Sequence, residues 1–240
     1  LEEKKEVIKF SVEVVNKRVP VIAGTGTNNT KASIELSKYA EEVGANMVLI
    51  ITPYYNKTSQ KGLYAHFSAI NDAINIPIML YNVPSRTGMN ITPLMLDKLA
   101  DLNNVVAIKE ASGDLSQVAK MAELCGDRIA IYSGNDDQIV PILSLGGAGV
   151  VSVLANILPE ETHNICEKYF LGEVIESRNL QLKYLSLANS LFIETNPIPV
   201  KTAMNLMNFN CGPLRLPLCE MEDSNLVILE ENLKANGLIK

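Results

Sequence analysis

The hydrophobic residues of the chain form six short runs, which are separated by longer segments with helical spacing. The runs are rich in Val and Ile and cover residues 19–23, 47–52, 76–82, 105–110, 128–133 and 148–153. Nearly continuous apolar runs of this length are typical of strands covered on both faces. Between the runs, apolar residues recur at helical intervals, as at Ile34, Leu36 and Tyr39. The pattern therefore predicts a repeat of strand and helix with a period of about thirty residues.

The carboxyl-terminal third of the chain follows a different pattern. No strand-like run occurs beyond Pro159, and the helical spacing continues. Helices are predicted at residues 160–170, 173–192, 199–207 and 224–235, and one more at residues 2–17, ahead of the first strand. We expect an α/β fold: an incomplete TIM barrel of about six parallel βα units at residues 1–158, and a helical region packed on it at residues 159–240. A closed barrel of this type has eight strands.

Capping residues and glycines agree with these boundaries. Thr92 places a capping hydroxyl directly before Pro93, which favours a helix start. Glycines at 44, 126 and 172 stand where helices should end. The glycine-rich segment 146–149 precedes a strand, so we interpret it as a helix-to-strand turn and not as a phosphate-binding loop.

Composition and charge exclude several classes of protein. The 240 residues are 47% hydrophobic and 20% charged, which argues against a disordered chain. The formal net charge of −6 and the absence of Trp argue against a nucleic-acid partner. The longest apolar run is far shorter than a membrane span, and the first residues do not resemble a signal peptide. We expect a cytoplasmic protein with neither a membrane nor a nucleic-acid partner.

The sequence gives little reason to expect a metal or an organic cofactor. Four cysteines without a CxxC spacing are interpreted as buried, reduced thiols. Two histidines far apart cannot form a metal cluster alone, and His66 is expected on a helix surface. The segment Gly24-Thr25-Gly26 starts like a dinucleotide fingerprint but lacks its third glycine. We therefore predict no metal and no cofactor.

Three residues near strand ends could carry chemistry. Lys109 closes a buried apolar strand, where desolvation favours the neutral, nucleophilic amine that forms Schiff bases, while Glu110 points to the opposite face. Tyr81 ends its own strand and is a candidate proton relay. Arg86 presents a planar fork of donors that suits a carboxylate. An ordinary solvated lysine, a packed tyrosine and a solvated arginine are the alternative interpretations of these positions.

Five segments in order resemble the dihydrodipicolinate synthase family over nearly the whole chain. They are Pro20-Val21-Ile22-Ala23-Gly24-Thr25-Gly26, Thr52-Pro53-Tyr54-Tyr55-Asn56, Tyr81-Asn82-Val83-Pro84-Ser85-Arg86-Thr87-Gly88, Ile108-Lys109-Glu110-Ala111-Ser112-Gly113 and Asn196-Pro197-Ile198-Pro199-Val200-Lys201. The resemblance implies a TIM barrel that condenses pyruvate with aspartate semialdehyde in lysine biosynthesis. It implies no metal and no organic cofactor.

The resemblance also assigns roles to individual residues. Lys109 matches the Schiff-base lysine, Tyr81 the proton-shuttling tyrosine, and Tyr55 the tyrosine that reaches into the neighbouring subunit's site. Arg86 matches the arginine that engages the carboxylate of the aldehyde substrate. Gly134 and Val151 fall where the family places backbone groups near bound pyruvate. The expected partners are pyruvate, aspartate semialdehyde and further copies of the chain, as a dimer or tetramer.

One part of the family pattern has no counterpart in the 240 residues. The family's first two strands are absent, together with the Gly-Thr-Thr-Gly-Glu-Ser loop that holds the pyruvate carboxylate and links the two tyrosines. We therefore expect impaired catalysis, since the substrate carboxylate loses its anchor. The alternative is a non-catalytic, truncated barrel that acts as an oligomeric or partner-binding protein. A second chain that supplies the two strands is a third possibility.

Overall fold

The computed structural model describes residues 1–240. Six strands form one sheet in the order β1-β2-β3-β4-β5-β6. The strands are β1 (Ile22–Gly24), β2 (Met47–Ile51), β3 (Ile78–Asn82), β4 (Val105–Glu110), β5 (Ala130–Ser133) and β6 (Gly149–Val150). The helices are α1 (Glu2–Val15), α2 (Thr30–Glu42), α3 (Gln60–Asn71), α4 (Pro84–Thr87), α5 (Pro93–Leu99), α6 (Leu115–Cys125), α7 (Ile139–Ser144), α8 (Pro159–Phe170), α9 (Val174–Ser190), α10 (Ile198–Leu206) and α11 (Asp223–Ala235).

All six predicted strands form, and neighbouring strands in the sheet are consecutive in sequence. The pairs β1–β2, β2–β3 and β3–β4 are parallel. The predicted fold class, parallel βα units of an incomplete TIM barrel followed by helices, is confirmed. β1 is shorter than predicted and begins after Pro20, which has no N–H to donate to a ladder. β6 has only two residues, although the Val151 N–H beyond it still donates to the Ser133 carbonyl at 2.8 Å.

The helix boundaries follow the predicted capping signals with one exception. The Thr92 hydroxyl accepts from the Met95 N–H at 3.2 Å and begins α5, as expected. Gly44 and Gly172 have φ values of 95° and 83°, in the left-handed region where glycine is favoured. Gly126 ends α6 with an ordinary φ of −59°, and glycine is favoured there by close approach instead, since a Cβ would lie 2.6 Å from the Ala122 carbonyl oxygen. The turn before β6 contains Gly146 at φ 88°.

The chain divides into two compact units. The first contains Leu1–Tyr132 and Leu145–Ala148, and the second contains Ser133–Ser144 and Gly149–Lys240. In the first unit, Val48 and Ile50 of β2 are fully buried, as are Leu80 and Ile108 on the next two strands. Each such side chain contributes about 2 kcal/mol through removal of its surface from water. The predicted boundary between residues 158 and 159 is a different division and stays a prediction.

The second unit has its own hydrophobic core. Leu187 and Leu191, at the carboxyl-terminal end of α9, pack with Ala203 of α10 and with Leu229 and Leu233 of α11. The buried side chain of Gln181 ties α9 to the start of α7 and to the residues just before it. Its Nε2 donates to the Asp137 carbonyl at 2.6 Å, and its Oε1 accepts from the Val140 N–H at 2.7 Å. These contacts give the carboxyl-terminal helices a core independent of the strands in the first unit.

Part of the apolar surface of the first unit stays exposed. Val7, Phe10 and Val14 of α1 are largely accessible, as is Ile22 of β1. Large apolar side chains grouped in this way are a feature of surfaces that associate with other molecules. None of the helices combines the length and the low charge needed to cross a lipid bilayer.

Two expectations about single side chains need correction. All four cysteines are free, but only Cys125 is buried, and Cys219 is exposed. His66 is not on a helix surface: it is 6% exposed, its Nδ1 lies 2.9 Å from the Thr30 hydroxyl, and its ring packs edge-on against Phe67. Residue 66 shares its helix face with buried Leu63 and Ile70, three and four positions away, and this spacing should have placed it inside. Burial lowers the pKa of His66.

Candidate active site

The structure brings together the lysine and the tyrosine that the sequence singled out. β3 and β4 are adjacent, and their register pairs Tyr81 directly with Lys109. The Lys109 Nζ lies 4.3 Å from the centroid of the Tyr81 ring. Both side chains are half-buried at the ends of their strands. An amine that can act as a nucleophile therefore lies over the ring of a tyrosine whose phenol can transfer a proton.

The surroundings of Tyr81 keep its phenol protonated. Burial raises the pKa of Tyr81 above its ordinary value of 10.0, and the charge of Arg86 opposes this only in part. Since an ordinary tyrosine is already neutral at pH 7, a raised pKa leaves the O–H fully available. Tyr81 is thus a hydrogen-bond donor and a proton source beside the Lys109 amine.

Arg86 lies on a short helical turn that follows β3. α4 begins at Pro84 and ends before Gly88, which has a left-handed φ of 69°. The buried Thr87 hydroxyl donates to the Val83 carbonyl at 3.2 Å, and it accepts from Thr52 at 3.1 Å, so the turn is anchored to the end of β2. Arg86 itself is exposed. A guanidinium on this turn, just after the end of β3, has the planar fork of donors that suits a carboxylate.

Tyr55 lies apart from the contact between Lys109 and Tyr81. It follows β2 in a turn with a left-handed φ of 66°, and its side chain is 92% exposed. The turn is fixed by its neighbours: the Asn56 N–H donates to the Tyr54 carbonyl at 2.9 Å, and the Asn56 side chain donates to the Asn28 carbonyl at 3.1 Å. A non-glycine residue with positive φ is uncommon and needs such support. The Tyr55 side chain is therefore accessible at the surface, on a turn that its neighbours support.

Gly134 and Val151 both belong to the second unit and are half-buried there. The Val151 N–H donates to the Ser133 carbonyl at 2.8 Å, and the Ser133 hydroxyl donates to the Asn135 carbonyl at 2.7 Å. Gly134, between Ser133 and Asn135, is therefore fixed by bonds on both sides. The binding roles of Gly134 and Val151 stay predictions.

Sequence reasoning missed a buried carboxylate beside these backbone groups. Asp136 is 4% exposed, and its Oδ2 accepts from the N–H groups of Val153 and Leu154, both at 3.0 Å. Its Oδ1 has no hydrogen-bond partner. The run Asn135-Asp136-Asp137 resembled an ordinary polar loop, and only the fold shows that the first of its two aspartates is inside.

A second buried carboxylate, Glu110, follows Lys109 directly. It is 1% exposed, its Oε1 accepts from the Ser112 N–H at 2.7 Å, and its Oε2 accepts from the Asn82 side chain at 2.8 Å. Burial raises the pKa of Glu110, against the opposing effect of these hydrogen bonds. Strand alternation had placed Glu110 opposite Lys109, but its burial and partners were not foreseen. An acidic residue in a strand covered on both faces was the available signal.

A lysine amine and a phenol at adjacent ends of parallel strands, with a guanidinium beyond them, define a candidate site of the Schiff-base lyase class. The pattern of the dihydrodipicolinate synthetase family matches residues 1–236, and the chain belongs to this family. The expected family is confirmed.

Individual relatives agree with this assignment. A 4-hydroxy-tetrahydrodipicolinate synthase of Clostridium perfringens strain 13 is 99% identical over 240 residues, which are 100% of this chain and 82% of that protein. A crystal structure of a dihydrodipicolinate synthase superposes with a TM-score of 0.97 at 50% identity, covering 99% of this chain and 82% of the other. A monomeric dihydrodipicolinate synthase variant superposes with a TM-score of 0.97 at 42% identity, covering 100% of this chain and 81% of the other.

Proposed function

We propose that this chain condenses pyruvate with aspartate semialdehyde through a Schiff base on Lys109. The observation that carries the proposal is the contact of the Lys109 amine with the ring of Tyr81, at 4.3 Å on paired positions of β3 and β4. The similarity to named synthases supports the choice of substrates. The product belongs to lysine biosynthesis, as the family resemblance implies.

The steps follow from the chemistry of a primary amine and a keto acid. The neutral Lys109 nitrogen attacks the keto carbon of pyruvate, and the keto oxygen takes up a proton. Loss of water, with a proton delivered through the Tyr81 phenol, leaves the imine. Loss of a proton from the pyruvate methyl group gives an enamine, whose carbon bonds to the aldehyde carbon of the second substrate while the aldehyde oxygen is protonated. The amino group of the second substrate then attacks the regenerated imine carbon and displaces the Lys109 amine, which closes the product ring and frees the enzyme. No metal or organic cofactor enters this scheme.

The remaining predicted residues bind the substrates. Arg86 pairs with the carboxylate of aspartate semialdehyde, for which its exposed guanidinium has suitable geometry. Backbone groups of Gly134 and Val151 bind pyruvate. The hydrogen bonds that fix Ser133, Asn135 and Val151 support this role because a backbone donor or acceptor works best when it is already in place.

Imine trapping tests the nucleophile. The purified chain is incubated with pyruvate and borohydride, which reduces the imine to a stable secondary amine, and the intact protein is weighed by mass spectrometry. We expect one reduced pyruvate on the parent, none on Lys109→Ala, and the parent result on Lys57→Ala, which removes an exposed lysine of the same unit. A folded parent without adduct would contradict the proposal and favour the non-catalytic alternative.

We further propose that the protein is a cytoplasmic homo-oligomer, a dimer or tetramer, in which Tyr55 reaches the site of a neighbouring subunit. The 92% exposure and left-handed φ of Tyr55 support this role, as do the accessible apolar side chains of α1. Size-exclusion chromatography with light scattering measures the mass. A clean monomer at micromolar concentration would contradict the proposal. The solved monomeric variant makes this a necessary test.

A further inference from the structure

β3 and β4 carry two neighbouring pairs of residues that face opposite sides of the sheet. Tyr81 pairs with Lys109, and the next pair is Asn82 with Glu110. Because side chains alternate along a strand, the second pair lies on the covered face, where Asn82 is 0% and Glu110 is 1% exposed. A displacement of the second pair therefore moves the peptide units that carry the first.

The covered pair is held by hydrogen bonds on all its polar side-chain atoms. Glu110 accepts from the Ser112 N–H at 2.7 Å and from Asn82 Nδ2 at 2.8 Å. Asn82 Nδ2 also donates to Asn90 Oδ1 at 2.9 Å, and Asn82 Oδ1 accepts from the Ile91 N–H at 2.8 Å. Each of these polar atoms therefore has a partner, and the hydrogen bonds fix the orientation of the two side chains.

The network extends beyond the two strands. Asn90 Nδ2 donates to Gln117 Oε1 at 2.7 Å, and Gln117 Nε2 donates back to Asn90 Oδ1 at 3.2 Å. The segment after α4 and the first turn of α6 are therefore tied to the ends of β3 and β4. A buried carboxylate is costly compared with an apolar side chain of similar volume, so packing alone does not account for Glu110.

We propose that Glu110 is a positioning residue for the paired side chains Lys109 and Tyr81. This inference rests on the Schiff-base chemistry proposed above. Glu110 touches no reacting atom: its carboxylate fixes Asn82, and the two together fix the relative placement of the strand ends that present the amine and the phenol. Attack on a keto carbon needs a narrow range of distances and angles, and displacement by about 1 Å can cost roughly 10²-fold in rate.

The substitution Glu110→Gln tests this role with almost no change in volume. It replaces one acceptor by a donor, so that an N–H of residue 110 faces the Asn82 N–H. The rate of borohydride-trappable imine formation at saturating pyruvate should fall roughly 10²-fold, as expected for a misplaced reacting pair. The concentration of pyruvate giving half the maximal rate should change little, because Glu110 does not bind the substrate.

A double substitution restores the match of donors and acceptors. In Asn82→Asp combined with Glu110→Gln, residue 82 supplies the carboxylate and residue 110 supplies the donor. The side-chain amides of Asn90 and Gln117 can rotate by 180°, so that Asn90 donates to the new carboxylate. The trapping rate of the double variant should recover to within roughly tenfold of the parent, since contacting residues couple strongly. Asn82→Asp alone places two carboxylates side by side and should be as slow as Glu110→Gln or slower.

A control variant that is destabilised outside the hydrogen-bond network separates a positioning role of Glu110 from a general loss of stability. Leu36→Ala removes a buried apolar side chain of α2, away from β3 and β4, and should lower the melting temperature without changing the trapping rate per folded molecule. If Glu110→Gln traps pyruvate as fast as Leu36→Ala, or if the double substitution fails to recover while folded, the positioning role is wrong. A parent chain without any adduct would instead overturn the proposed function, and this role with it.

Discussion

Each of the two compact units buries one carboxylate close to residues predicted to serve the reaction, but the two carboxylates are held differently. In the first unit, both oxygens of Glu110 accept hydrogen bonds, one from a backbone N–H and one from the Asn82 side chain. In the second unit, Asp136 uses one oxygen for two backbone N–H groups, and its Oδ1 has no partner. Glu110 thus belongs to a side-chain network, whereas Asp136 caps a backbone turn.

The difference predicts how each site responds to loss of its charge. In a network of matched side chains, an acceptor that is replaced by a donor destabilises the protein. The new N–H finds no free acceptor, because every neighbouring group is already hydrogen-bonded. A backbone turn needs only one acceptor oxygen, which an amide supplies equally well. The two buried acids should therefore differ sharply in their amide variants, although both are almost fully inaccessible.

Of the two amide variants, Glu110→Gln is expected to have the larger effect on stability. Loss of the acceptor leaves an Asn82 N–H without a partner in a buried place and adds a second unmatched donor. The free energy of unfolding should fall by about 2 kcal/mol at neutral pH. Urea unfolding followed by circular dichroism measures it. A variant as stable as the parent would show that the network adjusts, which would contradict the account that its donors and acceptors are matched.

A smaller effect is expected for Asp136→Asn. The amide oxygen can accept from the Val153 and Leu154 N–H groups, and the amide nitrogen takes the position where Oδ1 has no partner. The free energy of unfolding should fall by less than about 1 kcal/mol. In Asp136→Ala, both N–H groups lose their acceptor, and the free energy of unfolding should fall by about 2 kcal/mol or more. Equal losses for the Asn and Ala variants would mean that the carboxylate charge itself holds the turn.

The smallest effect is a pH dependence that belongs to Glu110. Its pKa is raised above the ordinary value of 4.5, mainly by burial, so the folded state holds the proton more tightly than the unfolded chain. The part of its contribution to stability that depends on protonation is complete below pH 4.5 and is lost as the pH rises through the folded-state pKa, whereas the hydrogen-bond contribution remains at neutral pH. The difference in unfolding free energy between parent and Glu110→Gln should therefore shrink from acid to neutral pH. A difference that grows over this range would contradict the raised pKa.

Much of the fold was predictable because the strands are short apolar runs. Six runs gave six strands, since burial on both faces requires continuous apolar side chains whatever the rest of the chain does. The strands β1 and β6 are shorter than the apolar runs that predicted them, because strand pairing also depends on the hydrogen-bonding groups of the neighbouring backbone. The surface position expected for His66 was wrong because a polar residue on a buried helix face is revealed only by the positions of its neighbours.

The candidate catalytic residues could be predicted from the sequence, but the buried hydrogen bonds around them could not. Lys109 and Tyr81 could each be placed at a strand end, and the register of β3 and β4 brings them into contact. The buried acids Glu110 and Asp136 could not be assigned, because each has partners in a distant segment: the Asn82 side chain for Glu110 and two backbone N–H groups after β6 for Asp136. Hydrogen bonds between such segments leave no periodic trace in the sequence.

Mapping the trapped adduct to one residue tests the central claim, that Lys109 is the nucleophile, more directly than any rate. The chain is reduced with borohydride in the presence of isotope-labelled pyruvate, digested, and the labelled peptide is sequenced by tandem mass spectrometry. The account predicts that the label is on Lys109, in the peptide that contains β4, at up to one label for each chain. A label on any other lysine, or one spread over several, would contradict it.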